Sequence, residues 1–157
     1  RPNVIPCTPL GCLKLIESCQ IIEGKDAIII GRSNIVGKPL SYLLTNKNVT
    51  VTLAHSKTKN IALKISTHDI VIAAVGVPNL VKGSWVKENA VVIDVGINPI
   101  IGSDGKRKLL GDVDYDSFKK KEGYITPVPG GVGPMTIHCL LSNTFDLALK
   151  RRNLNIR

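Results

Sequence analysis

Four short apolar runs punctuate the chain, Ala27 to Ile30, Val49 to Leu53, Ile70 to Val75 and Val91 to Val95, and each reads as a strand. Between them Lys38 to Thr45 and Asn60 to Thr67 have helical potential, and Gly83-Ser84-Trp85 reads as a short turn ahead of the fourth run. Upstream, Leu10, Leu13 and Ile16, with Cys12, Leu15 and Cys19, recur at helical spacing until Gly24. Thr8-Pro9 reads as the N-cap of that helix followed by proline at its first position, where a missing N–H costs nothing. Val, Ile and Ala runs alternating with helices predict a mainly parallel sheet with helices on both faces, because a sheet with one wet face would alternate polar and apolar residues. The expected class is α/β, Rossmann-like and doubly wound.

After Asn98-Pro99 the pattern loosens. Gly102, Gly105 and Lys106-Arg107-Lys108 predict an exposed hairpin or loop, Asp114 to Glu122 a short surface helix, and Tyr124 to Thr126 another strand. Pro127 to Pro134 is too rich in Gly and Pro for regular structure and reads as a loop. Beyond it Ile137, Leu140, Leu141, Phe145 and Ala148 share one helical face, expected to close the core, and Lys150-Arg151-Arg152 complements that helix's dipole. No linker or repeat interrupts the pattern, so residues 1–157 are expected to form one domain.

The 157 residues, 43% of them hydrophobic, leave room for a sizeable core. A net charge of +9 suits nucleic acid, an anionic membrane or a phosphorylated ligand, so the distribution of charge has to choose. Cys7, Cys12, Cys19 and Cys139 form no Cys-x-x-Cys pair and His55, His68 and His138 are scattered, which predicts reduced packing thiols and no metal site. No apolar run is long enough to cross a bilayer, so no membrane partner is expected. The opening Arg1-Pro2-Asn3 carries neither an initiator Met nor a signal segment, as expected of a soluble piece of something longer.

Charge is segregated along the chain. No Asp or Glu occurs between Asp26 and Asp69, whereas Arg32, Lys38, Lys47, Lys57, Lys59 and Lys64 all fall there. Inside that interval Ala27 to Pro39 runs from a strand through a turn containing Gly31 and Gly37 into a helix. Such a turn can aim helix amides at a phosphate. It can equally be a plain turn, since Ser33 stands where the usual Gly-x-Gly-x-x-Gly fingerprint has its second Gly.

The end of the second strand discriminates further. Dinucleotide sites place an acid there for the ribose 2′-hydroxyl, and this chain has Leu53-Ala54-His55-Ser56-Lys57. Ser56 as a donor and Arg32 as a bidentate guanidinium welcome a 2′-phosphate, which favours NADP over NAD. The plainer alternative makes both residues solvated loop positions. Gly37-Lys38 is no P-loop, because no Ser or Thr follows the Lys and Pro39 removes an amide. Tyr115 to Lys119 spells a Tyr-x-x-x-Lys, but its Lys-rich surroundings mark it as solvated surface.

Several segments together resemble the methylenetetrahydrofolate dehydrogenase/cyclohydrolase family: Pro6-Cys7-Thr8-Pro9, Gly31 to Gly37, Val91 to Asn98, Gly111-Asp112-Val113 and the long run Tyr124 to Thr136. The likeness spans Pro6 to Leu149 in the family's order and implies its C-terminal NAD(P)-binding domain. On that resemblance Gly31, Arg32 and Ser33 hold the cofactor phosphates, Ser56 with Arg32 the 2′-phosphate, and Ile97 the nicotinamide end, with Gly133 and Thr136 nearby. The loop of Pro129, Gly130, Gly131, Val132 and Gly133 is similar to the wall that meets the folate. The implied parent is a homodimer that oxidises a methylenetetrahydrofolate and hydrolyses the methenyl product; the compartment-neutral cysteines suggest a cytoplasmic location, an organellar form staying open. The family's N-terminal half, which bears its own Tyr-x-x-x-Lys with the essential lysine, has no counterpart here. No catalytic residue is therefore expected in this chain, which should bind NADP without turnover.

Two other classes compete. An isolated basic nucleotide- or nucleic-acid-binding module would draw on Lys119-Lys120-Lys121 and Lys150-Arg151-Arg152, but the aromatics that stack bases are too dispersed, and no nucleic-acid partner is expected. An unrelated NADP-dependent reductase using Tyr115 and Lys119 would require hydride transfer by this chain alone.

Overall fold

The computed structural model describes residues 4–102, 105–119 and 121–152; Arg1 to Asn3 and Lys120, which entered the reading above, lie outside the described residues. The elements run α1 (Cys7–Cys19), β1 (Asp26–Ile30), α2 (Gly37–Thr45), β2 (Thr50–Ala54), α3 (Ile61–Ile65), β3 (Ile70–Ala73), a 3₁₀ turn (Gly83–Trp85), β4 (Ala90–Asp94), β5 (Asn98–Ile101), β6 (Arg107–Leu110), α4 (Tyr115–Phe118), β7 (Gly123–Ile125) and α5 (Val132–Arg151). β2, β1, β3, β4 and β7 form one sheet in that order, every pair parallel, while β5 and β6 form a separate antiparallel hairpin. The chain leaves β1 toward β2 and returns to the other side of β1 for β3. That reversal opens a crevice at the carboxyl ends of the strands, where α/β sheets receive ligands.

The strands show no polar alternation because both sheet faces are covered. Ile29, Ile72 and Ile93, a row in register, pack with Ile16 of α1 and with Leu40 and Leu44 of α2. Their neighbours Ile28, Val71 and Val92 face the other way, toward Ile65 of α3 and Phe118 of α4. Cutting Ile29 or Ile72 to Ala would cost about 3 kcal/mol in lost transfer energy and cavity.

Several expected boundaries move. α1 begins at Cys7 with Pro6 as its cap and ends at Cys19, well before Gly24. Thr8 is therefore inside the first turn rather than capping it, a turn that tolerates Pro9 because its amides have no intrahelical partner. α4 is a single turn capped by Asp114, which accepts from the Ser117 amide at 3.3 Å, instead of a helix reaching Glu122.

The larger correction concerns α5. It starts at Val132, inside the expected loop, because Gly131 serves as its cap and Pro134 falls in the first turn, where proline is tolerated. Nor does its apolar stripe close the core: Ile137, Leu140, Leu141 and Phe145 are 61%, 54%, 66% and 56% exposed, and Val132 and Cys139 are its buried residues. α5 instead lies along α1, so closely that a Cβ on Gly11 would stand 3.2 Å from Met135.

Candidate functional site

Gly31 follows β1 directly, and its N–H donates to the Ala54 carbonyl at 2.9 Å and so ties the carboxyl ends of β1 and β2 together. Its φ of +125° lies where only glycine is comfortable. Gly37, which opens α2, comes so close to the turn that a Cβ would stand 2.0 Å from the Gly31 carbonyl oxygen. Between these glycines Arg32 to Ile35 are exposed.

Ser33 organises the turn from within. Its Oγ accepts from the Val36 amide at 3.1 Å and the Gly37 amide at 3.4 Å, and its carbonyl accepts from the Lys38 amide at 3.1 Å. The amides that open α2, which the sequence reading aimed at a phosphate, are thus taken up inside the turn. What faces outward is the exposed Arg32 with the Ser33 O–H, a charged and a neutral donor suited to an anion.

The segment after β2 is a turn of its own. The His55 amide donates to Thr58 Oγ1 at 2.9 Å and the Lys57 amide to His55 Nδ1 at 3.2 Å, leaving Ser56 and Lys57 exposed. Arg32 and Ser56 therefore stand at adjacent strand ends.

Beside this turn lies a cavity of about 530 Å³, a size that suits a small ligand. It gathers Ile97, Pro129, Gly130, Gly131, Val132, Gly133 and Thr136, all nominated from the sequence, and reaches Val36 of the turn. Gly133 has nothing within 4 Å of where a Cβ would be, so its missing side chain leaves open space. Gly131 differs, because a Cβ there would meet the Pro127 carbonyl oxygen at 2.6 Å, a constraint of the backbone itself. The Val128–Pro129 peptide is cis. Thr136 Oγ1 lies 3.0 Å from the Val132 carbonyl and 3.2 Å from Thr8 Oγ1, which anchors the start of α5 to α1. Exposed donors at one end and an apolar, glycine-lined cavity at the other fit the two ends of a dinucleotide.

Two buried acids without a role in the sequence reading stand here, Asp94 in the cavity wall and Asp112 bonded to the segments beside it. Asp94 Oδ1 accepts from the amides of Gly96 and Asp112 at 2.9 Å each, and its Oδ2 from Val113 at 2.9 Å. Asp112 Oδ2 accepts from Val75 at 2.7 Å and Gly76 at 2.9 Å, and its Oδ1 from Asn98 Nδ2 at 2.8 Å. Burial pushes the Asp94 carboxyl above the ordinary range with Asp112 adding to the push, while the three amides pull the other way. The available signal was an acid at a strand end or beside a glycine, in Ile93-Asp94-Val95-Gly96 and Gly111-Asp112-Val113.

Other nominated groups lie elsewhere. Lys119 pairs with Asp116 at 2.7 Å, which raises its proton affinity, and sits 5.4 Å over the Tyr115 ring on α4, away from the cavity lining. Burial pushes the Cys12 thiol up to about 12, so it is no nucleophile at neutral pH. None of the described helices is long and apolar enough to cross a membrane.

Comparison with known proteins accords with this geometry. The family model for the tetrahydrofolate dehydrogenase/cyclohydrolase NAD(P)-binding domain matches residues 6–152. The mitochondrial C-1-tetrahydrofolate synthase of Saccharomyces cerevisiae is 57% identical over 97% of the chain, which covers 16% of that protein. A bifunctional protein FolD of Ruegeria pomeroyi is 54% identical over 98% of the chain and 52% of its own length. Among solved structures, the Trypanosoma brucei methylenetetrahydrofolate dehydrogenase-cyclohydrolase complexed with NADP and an inhibitor superposes with a TM-score of 0.88 at 43% identity, over 97% of this chain and 52% of that one. The chain thus spans about half the length of the bacterial and trypanosomal relatives.

Proposed function

The chain belongs to the tetrahydrofolate dehydrogenase/cyclohydrolase family as its NAD(P)-binding domain, and from that premise we propose that it binds NADP in preference to NAD across the carboxyl ends of its strands. Gly31, Arg32 and Ser33 receive the phosphates, Arg32 and Ser56 the 2′-phosphate, and Ile97, Gly133 and Thr136 the nicotinamide end. One observation carries the preference: Arg32 and Ser56 stand at strand ends joined by the Gly31 amide and the Ala54 carbonyl, inside an interval free of Asp and Glu that could repel a dianion. When bound, the cofactor supplies the hydride acceptor, and the chain supplies orientation and a dry apolar wall.

The parent protein is proposed to be the bifunctional enzyme, oxidising a methylenetetrahydrofolate and hydrolysing the methenyl product, with Pro129 to Gly133 as the wall that meets the folate. Its other half carries the catalytic lysine and covers the exposed face of α5, so this chain alone binds cofactor without turnover. A homodimer is proposed for the parent on the family likeness, and a cytoplasmic location on its compartment-neutral cysteines. The reading is tested by thermal unfolding with added nucleotide. NADP is expected to raise the midpoint more than NAD does. Equal shifts, or steeply salt-dependent binding to single-stranded nucleic acid with no NADP effect, would favour a general basic module instead.

A further inference from the structure

Asp94 closes β4 and Asp112 follows β6, and between them they bind three segments beside the carboxyl ends of β3 and β4: the amides of Val75 and Gly76 after β3, the amide of Gly96 and the side chain of Asn98 after β4, and the amides of Asp112 and Val113 after the β5–β6 hairpin. The two carboxylates are crossed. A Cβ on Gly111 would stand 1.8 Å from Asp94 Oδ2, and one on Gly96 would stand 2.2 Å from Asp112 Oδ1, so each acid rests on a glycine of the segment that carries the other. Every group bonded to them is an N–H donor. That explains acid rather than amide at both positions, since an ionised carboxylate accepts on both oxygens and an asparagine on one. Burying two acids without a cation among those partners is expensive, and a loop that only had to turn would not need them.

Asp94, Gly96 and Ile97 line the cavity, whereas Asp112 stands behind it and reaches it through Gly96 and Asn98. We infer that Asp112 is a positioning residue for the nicotinamide half of the cofactor, tying with Asp94 the segment whose Gly96 and Ile97 line the cavity to the segments after β3 and β6; this rests on the cofactor reading above. Arg32 and Ser56, proposed above for the adenosine half, are not among the groups that Asp112 bonds.

The test is calorimetric titration of this chain with NADP and with 2′-phospho-ADP-ribose, which lacks the nicotinamide. Asp112→Ala is expected to weaken NADP by about tenfold or more while leaving the truncated ligand within about twofold, because the supporting shell is lost at one end only. Asp112→Asn keeps an acceptor for the Val75 and Gly76 amides and is expected to recover NADP to within about threefold of wild type. Should Asp112→Ala fail to fold, Asn98→Ala removes one bond and must show the same selective loss in smaller measure. Equal weakening of both ligands, unchanged NADP affinity in the folded variant, or no recovery with Asn would overturn the inference while the cofactor reading stands. Wild-type chain that binds neither ligand would overturn both.

Discussion

A Cβ placed on Gly31 would lie 2.1 Å from the carbonyl oxygen of Ala74, so the end of β1 and the segment leaving β3 touch backbone to backbone at the point where the chain reverses. Gly31→Ala is therefore expected to destabilise the chain by more than about 2 kcal/mol, as clash adds to the strain of positive φ. Gly24 is the control: its φ is also positive, at 72°, with nothing within 4 Å, and its Ala variant should lose only about 1 kcal/mol. Urea midpoints decide, and equal losses would remove the close approach.

Gly133 should respond in the opposite way. It lies in the first turn of α5 beside open space, so Gly133→Ala is expected to stabilise the fold by about 0.5–1 kcal/mol through helix propensity. The same methyl enters the cavity and should weaken NADP by about 1 kcal/mol or more. Unfolding and titration of one preparation check both signs, and unimpaired binding would put the nicotinamide end elsewhere.

The apolar face of α5 contributes little to this chain's own stability. Leu141→Lys and Phe145→Lys are expected to move the unfolding free energy by no more than about 0.5 kcal/mol, because both side chains are already exposed. In the full-length parent the same changes should cost about 2 kcal/mol or more, the worth of burying such a side chain. A large loss in the isolated chain would mean that this face packs within the domain after all.

Asp69 links pH to stability. Burial alone would raise its pKa, but the Lys87 ammonium at 2.6 Å, the Asp26 amide at 3.0 Å and the charge of Lys25 outweigh burial and hold the carboxyl below its ordinary 3.8. A carboxylate depressed in the folded state stabilises above its unfolded value, and that contribution disappears as pH falls through the folded one. Asp69→Asn should cost about 0.5 kcal/mol near neutral pH, discounted for solvent screening, and nothing once the carboxyl is protonated in both states. Urea titrations of both proteins at several pH values would show a constant gap if Asp69 were not responsible.

Much of this architecture is legible without coordinates because Ile28 and Ile29, adjacent in sequence, are both buried, and such unbroken runs occur where both faces of a sheet are covered. The cavity was legible in part through the family resemblance, because Pro129 to Gly133 and Ile97 stand in short segments that carry it. The start of α5 was not, since Gly133 and Pro134 suit a loop by composition and a helix's first turn by position. Its outer stripe was misread because periodicity marks an apolar face without saying what covers it. Asp94 and Asp112 escaped because all their carboxylate bonds but that to the Gly96 amide join residues 14 to 37 positions apart, beyond any local pattern.

The proposed anion site at the ends of β1 and β2 is probed by calorimetric titration of the wild-type chain and Arg32→Ala with NADP and with NAD. Loss of the guanidinium should weaken NADP by about 1.5–3 kcal/mol and leave NAD nearly unchanged, as a charge-assisted bond to the 2′-phosphate requires. Equal losses for the two cofactors would contradict the assignment of Arg32 to that phosphate.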